Sequence, residues 1–340
     1  MEVTAIYPHP YFNDIVFFLT PSKKFILTIN RGKNFKEGEG PAPPTNRDDI
    51  ALSLRFHPTN TDFMIWIADR DCEDLTSKQC HAAAWYTKSR DTGWVLMQRY
   101  VRNCAWIHSN ALERTPDKLV YCEKYTRDER PTDSNPVKLI SSEDLFGETQ
   151  TRFEKIMGFA TMEEFIVVAE VKDESSLKLD ASIDGKIFAE AKFPHNLQVD
   201  KQQAYTVLDS VTHAVFLHVT VNPMRGSEYG TLVKSNSNGT SYVLSLSGVN
   251  RNEVGYVDFE KMQGLEGVAI VNIVKNVDEV NKGGKKKLKT KITHNDGGDW
   301  QFLSAPETDF DGKDYDCDRK DVSLFHISLK EYLTYCVIAR

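Results

Sequence analysis

The sequence predicts an all-β protein arranged as a β-propeller. A short turn signature recurs along the 340 residues: a hydroxyl residue, Asp or Asn two positions later, glycine two positions after that, and then an aromatic residue. Each copy follows a β-rich run, such as residues 24–27 or 288–292. Helical periodicity is confined to fragments such as residues 256–262. Recurrence of one signature at intervals of roughly 40 to 60 residues indicates an array of similar units.

The copies of the signature differ in completeness. Two are complete, one carries Ser at the acidic position, one is a residue shorter, one is a remnant, and one is degenerate. In that order they are Thr28-x-Asn30-x-Gly32-x-x-Phe35 with Thr293-x-Asn295-x-Gly297-x-x-Trp300, Ser235-x-Ser237-x-Gly239-x-x-Tyr242, the turn of Ser182, Asp184, Gly185 and Phe188, the stretch from Ser142 to Phe146, and residues 87–94.

Each part of the signature has a local structural role. The hydroxyl and the Asp or Asn side chain can accept hydrogen bonds from nearby backbone N–H groups. Glycine supplies a positive φ, and the aromatic ring is expected to pack between neighbouring units. The turns are therefore predicted to be structural rather than catalytic. Four short strands and one signature turn per unit predict about six propeller blades, whereas tandem β-sandwiches would not need the same turn in every unit.

Composition limits the possible partners. The net charge of −7 argues against binding to nucleic acid, which requires a basic face. The basic run Lys285-Lys286-Lys287 with Lys289 and Lys291 follows two glycines and is predicted to be a solvated hairpin loop. We expect no cofactor and no metal. No apolar run is long enough to span a membrane, and the N-terminal residues lack the pattern of a secretory leader, which alone would predict a cytosolic protein.

The cysteines point to a different compartment. Cys72 and Cys80 bracket a short polar loop, and Cys104 and Cys122 flank two apolar segments joined by a polar turn. Both spacings suit disulfides across hairpins, which would indicate an oxidising lumen. Zinc ligation and free buried thiols are the alternatives, although no Cys-x-x-Cys pair is present.

Two further cysteines and one modification sequence complete this set. Cys317 and Cys336 are left over after the two predicted pairs. Asn238-Gly239-Thr240 is a glycosylation sequon inside a signature turn, so Asn238 is the predicted glycosylation site.

Several longer stretches resemble a known family. They are residues 71–72 with 80–86, residues 184–194, residues 232–242, and residues 249–252 with 255–267. With them, roughly residues 1 to 325 resemble the luminal region of sortilin and of the fungal vacuolar sorting receptors. The resemblance implies a ten-bladed propeller with Asp-box turns whose tunnel binds extended peptides or propeptides of cargo. Its fungal members carry soluble vacuolar hydrolases such as carboxypeptidase Y from the late Golgi to the vacuole through endosomes.

The chain departs from the family pattern in its extent. We expect residues 1–327 to form a partial propeller of about six blades and residues 328–340 to be a divergent tail. The family's cysteine-rich module, membrane span and cytosolic tail are not recognised. Val322 stands where the resemblance implies the partner of Cys317. These departures predict a receptor fragment, with a non-functional relic or a mis-predicted gene product as the alternative.

The resemblance also implies candidate cargo-binding residues. In the family a basic side chain receives the cargo carboxylate inside the tunnel, with an aromatic residue nearby. The matching blade is residues 165–208, where Tyr205 matches the aromatic position and Lys178 is the basic candidate. A charge-assisted hydrogen bond would supply the affinity. The alternative is that Lys178 is a solvated strand residue and Tyr205 an ordinary packing residue.

An enzyme is the competing class of function. Sialidases and some other glycoside hydrolases carry similar turns, and they need paired carboxylates or, in sialidases, an arginine cluster with a tyrosine. No arginine constellation stands out in this sequence. His57, His81, His213 and His218 are not spaced with Ser and Asp as in a recognisable hydrolase triad. We therefore expect a binding protein rather than an enzyme, located by resemblance in the Golgi and endosome lumen.

Overall fold

The fold is known from a computed structural model. It describes residues 2–45, 53–74, 76–107, 116–129, 131–132, 134–162, 164–173, 177–195, 197, 205–211, 213–262, 264–303, 308 and 311–314. The described residues form β-strands and one short helix, so the prediction of an all-β protein is confirmed. The chain divides into two compact units. Unit 1 comprises Met1–Lys172 with Ile183–Ile187, and unit 2 comprises Asp173–Ser182 with Phe188–Arg340.

Unit 1 contains thirteen strands in the described residues. They are β1 (Ala5–Pro8), β2 (Val16–Leu19), β3 (Lys24–Thr28), β4 (Lys36–Glu39), β5 (Leu54–Phe56), β6 (Met64–Arg70), β7 (His81–Thr87), β8 (Val95–Arg99), β9 (Val101–Trp106), β10 (Val120–Tyr125), β11 (Val137–Ser142), β12 (Gln150–Thr161) and β13 (Ile166–Val171).

Unit 2 contains ten strands and the helix within its described part. They are β14 (Leu177–Ser182), β15 (Ala189–Glu190), β16 (Tyr205–Val211), β17 (Ala214–Asn222), β18 (Tyr229–Ser235), β19 (Tyr242–Asn250), β20 (Phe259–Lys261), β21 (Ala269–Val274), α1 (Val277–Val280), β22 (Leu288–Thr293) and β23 (Gln301–Phe302).

The strands of unit 1 follow one another as antiparallel meanders. Strands β1 to β4 form one four-stranded sheet in chain order, and β5 to β8 form a second. Strands β9 to β13 pair successively with the same antiparallel sense. The apolar faces of these sheets are aromatic-rich: Phe17, Phe25 and Trp66 are fully buried in one cluster. Such four-stranded meanders are the building unit of propeller blades.

Unit 2 has the same local organisation. Strands β14 and β15 form a hairpin. Strands β16 to β23 form an eight-stranded sheet in which β19 pairs with β21, and β20 pairs with β21 beside it. Phe216, Leu232, Val249 and Val271 are buried together in the core of this sheet. These four residues come from four neighbouring strands, so the core extends across the sheet.

The signature turns occupy equivalent places in the chain. They connect β3 to β4, β7 to β8, β11 to β12, β14 to β15, β18 to β19, and β22 to β23. Each turn joins two successive antiparallel strands as a hairpin, and its recurrence is expected of a repeated blade. The fold is that of a β-propeller; the number of blades stays a prediction.

Three of these turns share one hydrogen-bond pattern. The backbone N–H of Gly32 donates to Thr28 Oγ1 at 2.9 Å, and the N–H of Gly297 donates to Thr293 Oγ1 at 3.0 Å. In both turns the threonine hydroxyl donates to an Asn Oδ1, which accepts a further backbone N–H. The turn at Ser142, which looked like a remnant in sequence, has the same pattern. The predicted structural role of the hydroxyl and the Asx residue is confirmed here.

Other sequence expectations need correction. Residues 256–262, a predicted helical fragment, contain strand β20, because Phe259 to Lys261 pair with Val271 to Ala269. The helix of the described residues is α1 instead. In the turn at Ser235, Asn236 rather than Ser237 accepts the backbone N–H groups, from Thr240 and Ser241. The aromatic ring that follows the turn is buried at Tyr242 but 60% exposed at Phe35, so its packing role is not general.

Candidate functional site

Lys178, the predicted cargo-binding cation, lies on β14 next to two carboxylates. Its Nζ is 2.9 Å from Asp180 Oδ1 and 3.8 Å from Glu190 Oε2. Residues 178 and 180 share one face of the strand because side chains alternate, and Asp180 pairs with Glu190 across the β14–β15 hairpin. The Lys178 side chain is 26% exposed, Asp180 4% and Glu190 59%. Lys178 is therefore neither a freely solvated lysine nor an uncompensated positive charge.

The buried carboxylate of Asp180 is incompletely satisfied. Its Oδ1 contacts Lys178, while its Oδ2 is buried without a hydrogen-bond partner. Two carboxylates around one ammonium give this cluster a net negative formal charge. Sequence reasoning missed Asp180 and Glu190, although their spacing around the Asp184 turn is the signal of a hairpin pair. An incoming carboxylate has to compete with a protein carboxylate for Lys178.

Tyr205 begins a different strand from the one that carries Lys178. Its backbone lies in β16, paired with Val219 of β17. Strand β14 pairs with β15, whereas β16 belongs to the eight-stranded sheet. The interval 165–208 is therefore not a single sheet, which corrects the blade assignment made from sequence. The physical reason is the short β16–β17 connection, since Val211 pairs with Ala214 and commits β16 to the following sheet.

The two cysteine pairs are bonded as the hairpin interpretation requires. Cys72 is linked to Cys80, and Cys104 to Cys122. Cys104 and Cys122 are directly opposite each other on β9 and β10, with Cα atoms 4.1 Å apart, and both are fully buried. Cys317 and Cys336 lie outside the described residues, as do Val322 and the predicted tail at residues 328–340.

Asn238 lies at an exposed position in the turn between β18 and β19. The turn is held by the side chain of Asn236, whose Oδ1 accepts the N–H of Thr240 at 2.9 Å. The side chain of Asn238 therefore faces solvent on a well-formed hairpin, where an oligosaccharide could be attached. Its glycosylation stays a prediction.

The basic run does not behave as one solvated loop. Lys286 is largely buried, and its Nζ donates to the backbone carbonyls of Glu228 and Arg251 at 3.2 and 2.9 Å. Burial lowers the pKa of Lys286, and the Glu228 carboxylate opposes that shift. Lys287 remains exposed and pairs with Glu279 at 3.3 Å. The prediction of a wholly solvated loop is thus wrong at Lys286, because this side chain is largely buried and donates to two backbone carbonyl groups.

Three of the four histidines considered for hydrolytic chemistry have structural contacts, and the fourth, His213, is exposed. His218 is fully buried, and its Nε2 is 3.3 Å from the carbonyl oxygen of Val249. Burial lowers the pKa of His218 to about 4. His57 contacts the carbonyl oxygen of Asp117 at 2.8 Å, and His81 stacks on Tyr100. Each of these rings is engaged by backbone or packing contacts.

Two further features are absent from the described residues. Within the ranges that the structure describes, no group of three or more His, Cys, Asp or Glu side chains is placed to hold a metal ion. In the same part of the chain, no helix has the length and hydrophobicity needed to cross a bilayer.

The repeated meanders and turns define a β-propeller protein. The Sortilin-Vps10 family model, described as sortilin, neurotensin receptor 3, matches residues 1–336. The chain therefore belongs to the Sortilin-Vps10 family, whose members are sorting receptors rather than enzymes.

Full-length relatives give the same classification. The chain is 50% identical over 322 residues to vacuolar protein sorting/targeting protein 10 of Pyrenophora tritici-repentis, covering 94% of this chain and 21% of that protein. It is 51% identical over 320 residues to the protein of the same name from Blastomyces gilchristii, with the same coverage. The chain thus spans about a fifth of the length of these curated relatives.

Solved structures show likeness of fold alone. A GH74 xyloglucanase from Xanthomonas campestris aligns with a TM-score of 0.51 and 11% identity, over 88% of this chain and 46% of that one. The uncharacterised protein lmo1340 from Listeria monocytogenes aligns with a TM-score of 0.50 and 10% identity, over 91% and 83%. At such low identity neither comparison bears on activity.

Proposed function

We propose that this chain is part of the luminal domain of a sorting receptor that binds soluble vacuolar hydrolases or their propeptides. Cargo of the carboxypeptidase Y class would be carried between Golgi, endosome and vacuole. Membership of the Sortilin-Vps10 family and similarity to vacuolar protein sorting/targeting protein 10 support this role. The two disulfides support a luminal environment, since disulfides persist in oxidising compartments.

The arrangement of carboxylates around Lys178 is the observation that supports a cargo-binding site on unit 2. Asp180 Oδ1 lies 2.9 Å from Lys178 Nζ, and the Asp180 side chain is almost completely shielded from solvent. Glu190 lies at 3.8 Å, beyond hydrogen-bond distance, and is 59% exposed. A carboxylate of the cargo can therefore replace Glu190 beside Lys178 without breaking the buried pair. Tyr205 is proposed as the aromatic residue of the same cargo-binding surface.

A peptide-binding assay tests the site. The full chain is titrated with a labelled propeptide fragment ending in a free carboxylate, and with the same fragment ending in an amide. We expect Lys178→Gln to weaken binding of the acid by about tenfold, the effect of one charge-assisted contact, and to leave the amide unchanged. Glu190→Gln should strengthen binding of the acid, because it removes a competing carboxylate. Tyr205→Ala should weaken both peptides.

Lys186→Gln is the matched control. Lys186 lies in the turn of the same hairpin, is 45% exposed and pairs with Glu143, so its loss changes the net charge equally. If all variants bind the acid and the amide with equal affinity, Lys178 is not part of the cargo-binding site. Failure of the unaltered chain to bind either peptide would contradict the proposed function itself.

A further inference from the structure

Two lysines of the basic run converge on one exposed aromatic ring. Lys289 Nζ is 4.2 Å and Lys291 Nζ 4.7 Å from the centroid of the Phe302 ring. The two lysines lie two positions apart on β22, so their side chains share a face of the sheet. Lys291 pairs directly with Phe302 on β23. Phe302 is 48% exposed. We call Lys289, Lys291 and Phe302 the basic platform.

The basic platform differs from Lys286 and Lys287 in its charge balance. Lys286 is compensated by Glu228, and Lys287 by Glu279. Lys289 and Lys291 make no ion pair with any residue in the described ranges of the chain; their ammonium groups contact the ring instead. Two like charges are thus held beside one ring without an ion-paired carboxylate from the described residues, in a chain whose net charge is −7. The face of the ring attracts the two ammonium groups, but it does not accept conventional hydrogen bonds from their N–H donors.

A bound anion would complete this arrangement. An ammonium presents three donors, and two ammonium groups on one ring can be bridged by a ligand with two or more carboxylates. The exposed ring offers apolar contact to the aliphatic part of the same ligand. Nucleic acid is disfavoured, because the platform offers only two cations and the chain as a whole is negatively charged. An acidic stretch of polypeptide matches the small size of the platform.

We propose that the basic platform binds an acidic segment of a polypeptide, with adjacent Asp or Glu side chains bridging Lys289 and Lys291 over the Phe302 ring. As a cargo contact, this proposal rests on the proposed receptor function. The platform is separate from Lys178 in sequence and in sheet, since Lys178 lies in the β14–β15 hairpin. It would give the receptor a second contact, for an internal acidic segment rather than a terminal carboxylate.

Fluorescence anisotropy with a defined probe tests the proposal. The probe is a labelled peptide of four glutamates flanked by glycine and serine and amidated at its C-terminus, so that it carries no terminal carboxylate. We expect Lys289→Gln with Lys291→Gln to weaken binding of this probe to the full chain by about tenfold or more in low salt. The difference should shrink as salt is raised, since exposed charges are screened. Phe302→Leu should weaken binding less.

Lys155→Gln with Lys282→Gln is the matched control, because both lysines are exposed and the same two charges are lost. Near-ultraviolet circular dichroism establishes that each variant is folded. Equal loss in control and test variants would show a general charge effect and overturn the proposal, as would tighter binding of a heparin fragment of equal charge than of the glutamate probe. Lys178→Gln is titrated with the same amidated probe, and we expect it to bind as the unaltered chain does. Loss of propeptide binding in Lys178→Gln alone would leave the platform proposal intact. Loss of probe binding in the Lys289→Gln and Lys291→Gln variant alone would likewise leave the Lys178 site intact.

Discussion

The backbone N–H of Phe146 donates to the Oγ of Ser142 at 2.8 Å. Phe146 thereby occupies the position that Gly32 and Gly297 hold in the two complete turns, where the same N–H bonds to Thr28 and Thr293. Its φ is +70°, close to +79° at Gly32 and +73° at Gly297. The repeated turn can thus form without glycine when its side-chain hydrogen bonds are kept and the ring at this position packs against the core.

Replacement of Phe146 should separate backbone strain from packing. Phe146→Ala and Phe146→Gly lose the same ring contacts, but only alanine keeps a Cβ in the left-handed region. We expect the glycine variant to be more stable than the alanine variant by about 1 kcal/mol. Denaturant unfolding measures the difference. An alanine variant as stable as the glycine variant would show that the left-handed conformation costs nothing here.

Removal of the Ser142 hydroxyl tests the hydrogen bonds of the same turn. The side chain is buried, accepts the N–H groups of Asp144 and Phe146, and donates to Asp144 Oδ1 at 2.7 Å. Ser142→Ala leaves these groups without their partner and should cost about 1–3 kcal/mol of unfolding free energy. Ser134→Ala, at a solvent-exposed position, is the control. Equal stability of both variants would contradict a structural role for the signature hydroxyl.

The two complete turns should differ in their tolerance of alanine. At Gly32 an added Cβ would meet only the Phe35 ring, at 3.7 Å, whereas at Gly297 it would lie 2.7 Å from Ser245 Oγ and 2.9 Å from the Phe216 ring. Both variants share the cost of positive φ, so the comparison isolates the steric clash. We expect Gly297→Ala to be less stable than Gly32→Ala by about 1–3 kcal/mol. Thermal unfolding of both variants checks this order.

The sequence predicted the local repeat well because the turn chemistry is local. A hydroxyl, an Asx side chain and a left-handed residue within five positions are enough to form the turns at Thr28 and Thr293. The pairing of Cys104 with Cys122 followed from one hairpin for the same reason. The remnant at Ser142 was underrated because glycine was treated as essential, whereas packing of Phe146 stabilises the same conformation.

Long-range charge pairing could not be predicted in the same way. Nothing near Lys286 in sequence identifies Glu228 as its partner, because the two residues are 58 positions apart. Lys178 was recognised as a basic candidate. The burial of the neighbouring Asp180 carboxylate could not be predicted, because it depends on which face of the strand is covered. The assignment of Tyr205 to the strand set of Lys178 failed because chain proximity does not decide which sheet an edge strand joins.

The two disulfides should differ in their response to reductant. Cys104 and Cys122 are fully buried, while Cys72 is only partly covered. Dithiothreitol under native conditions should therefore reduce Cys72–Cys80 first, and Cys104–Cys122 only as the chain unfolds. Alkylation at timed intervals followed by peptide mass spectrometry gives the order. Simultaneous reduction of both pairs would show that unit 1 opens as a whole before either bond reacts.

His218 is a buried side chain whose titration should affect stability. It is fully buried, and its Nδ1 has no hydrogen-bond partner. Burial, with a smaller contribution from Arg251, lowers its pKa to about 4 from an ordinary value of 6.5. Between these two values the unfolded chain binds the proton and the folded chain does not. The stabilisation is therefore present above pH 6.5 and is lost as the pH falls towards 4.

Replacement of His218 by Gln should reduce this pH dependence. A pKa difference of that size corresponds to about 3 kcal/mol of unfolding free energy lost by the unaltered chain between pH 7 and pH 4. The variant will be less stable at pH 7, because a buried ring is lost, but its free energy of unfolding should decline less steeply with acid. Urea unfolding at pH 7, 6, 5 and 4 measures both slopes. His213→Asn, at an exposed histidine, should keep the slope of the unaltered chain. If His218→Gln and the unaltered chain lose stability in parallel as the pH falls, protonation of His218 does not cause the pH dependence of the unfolding free energy.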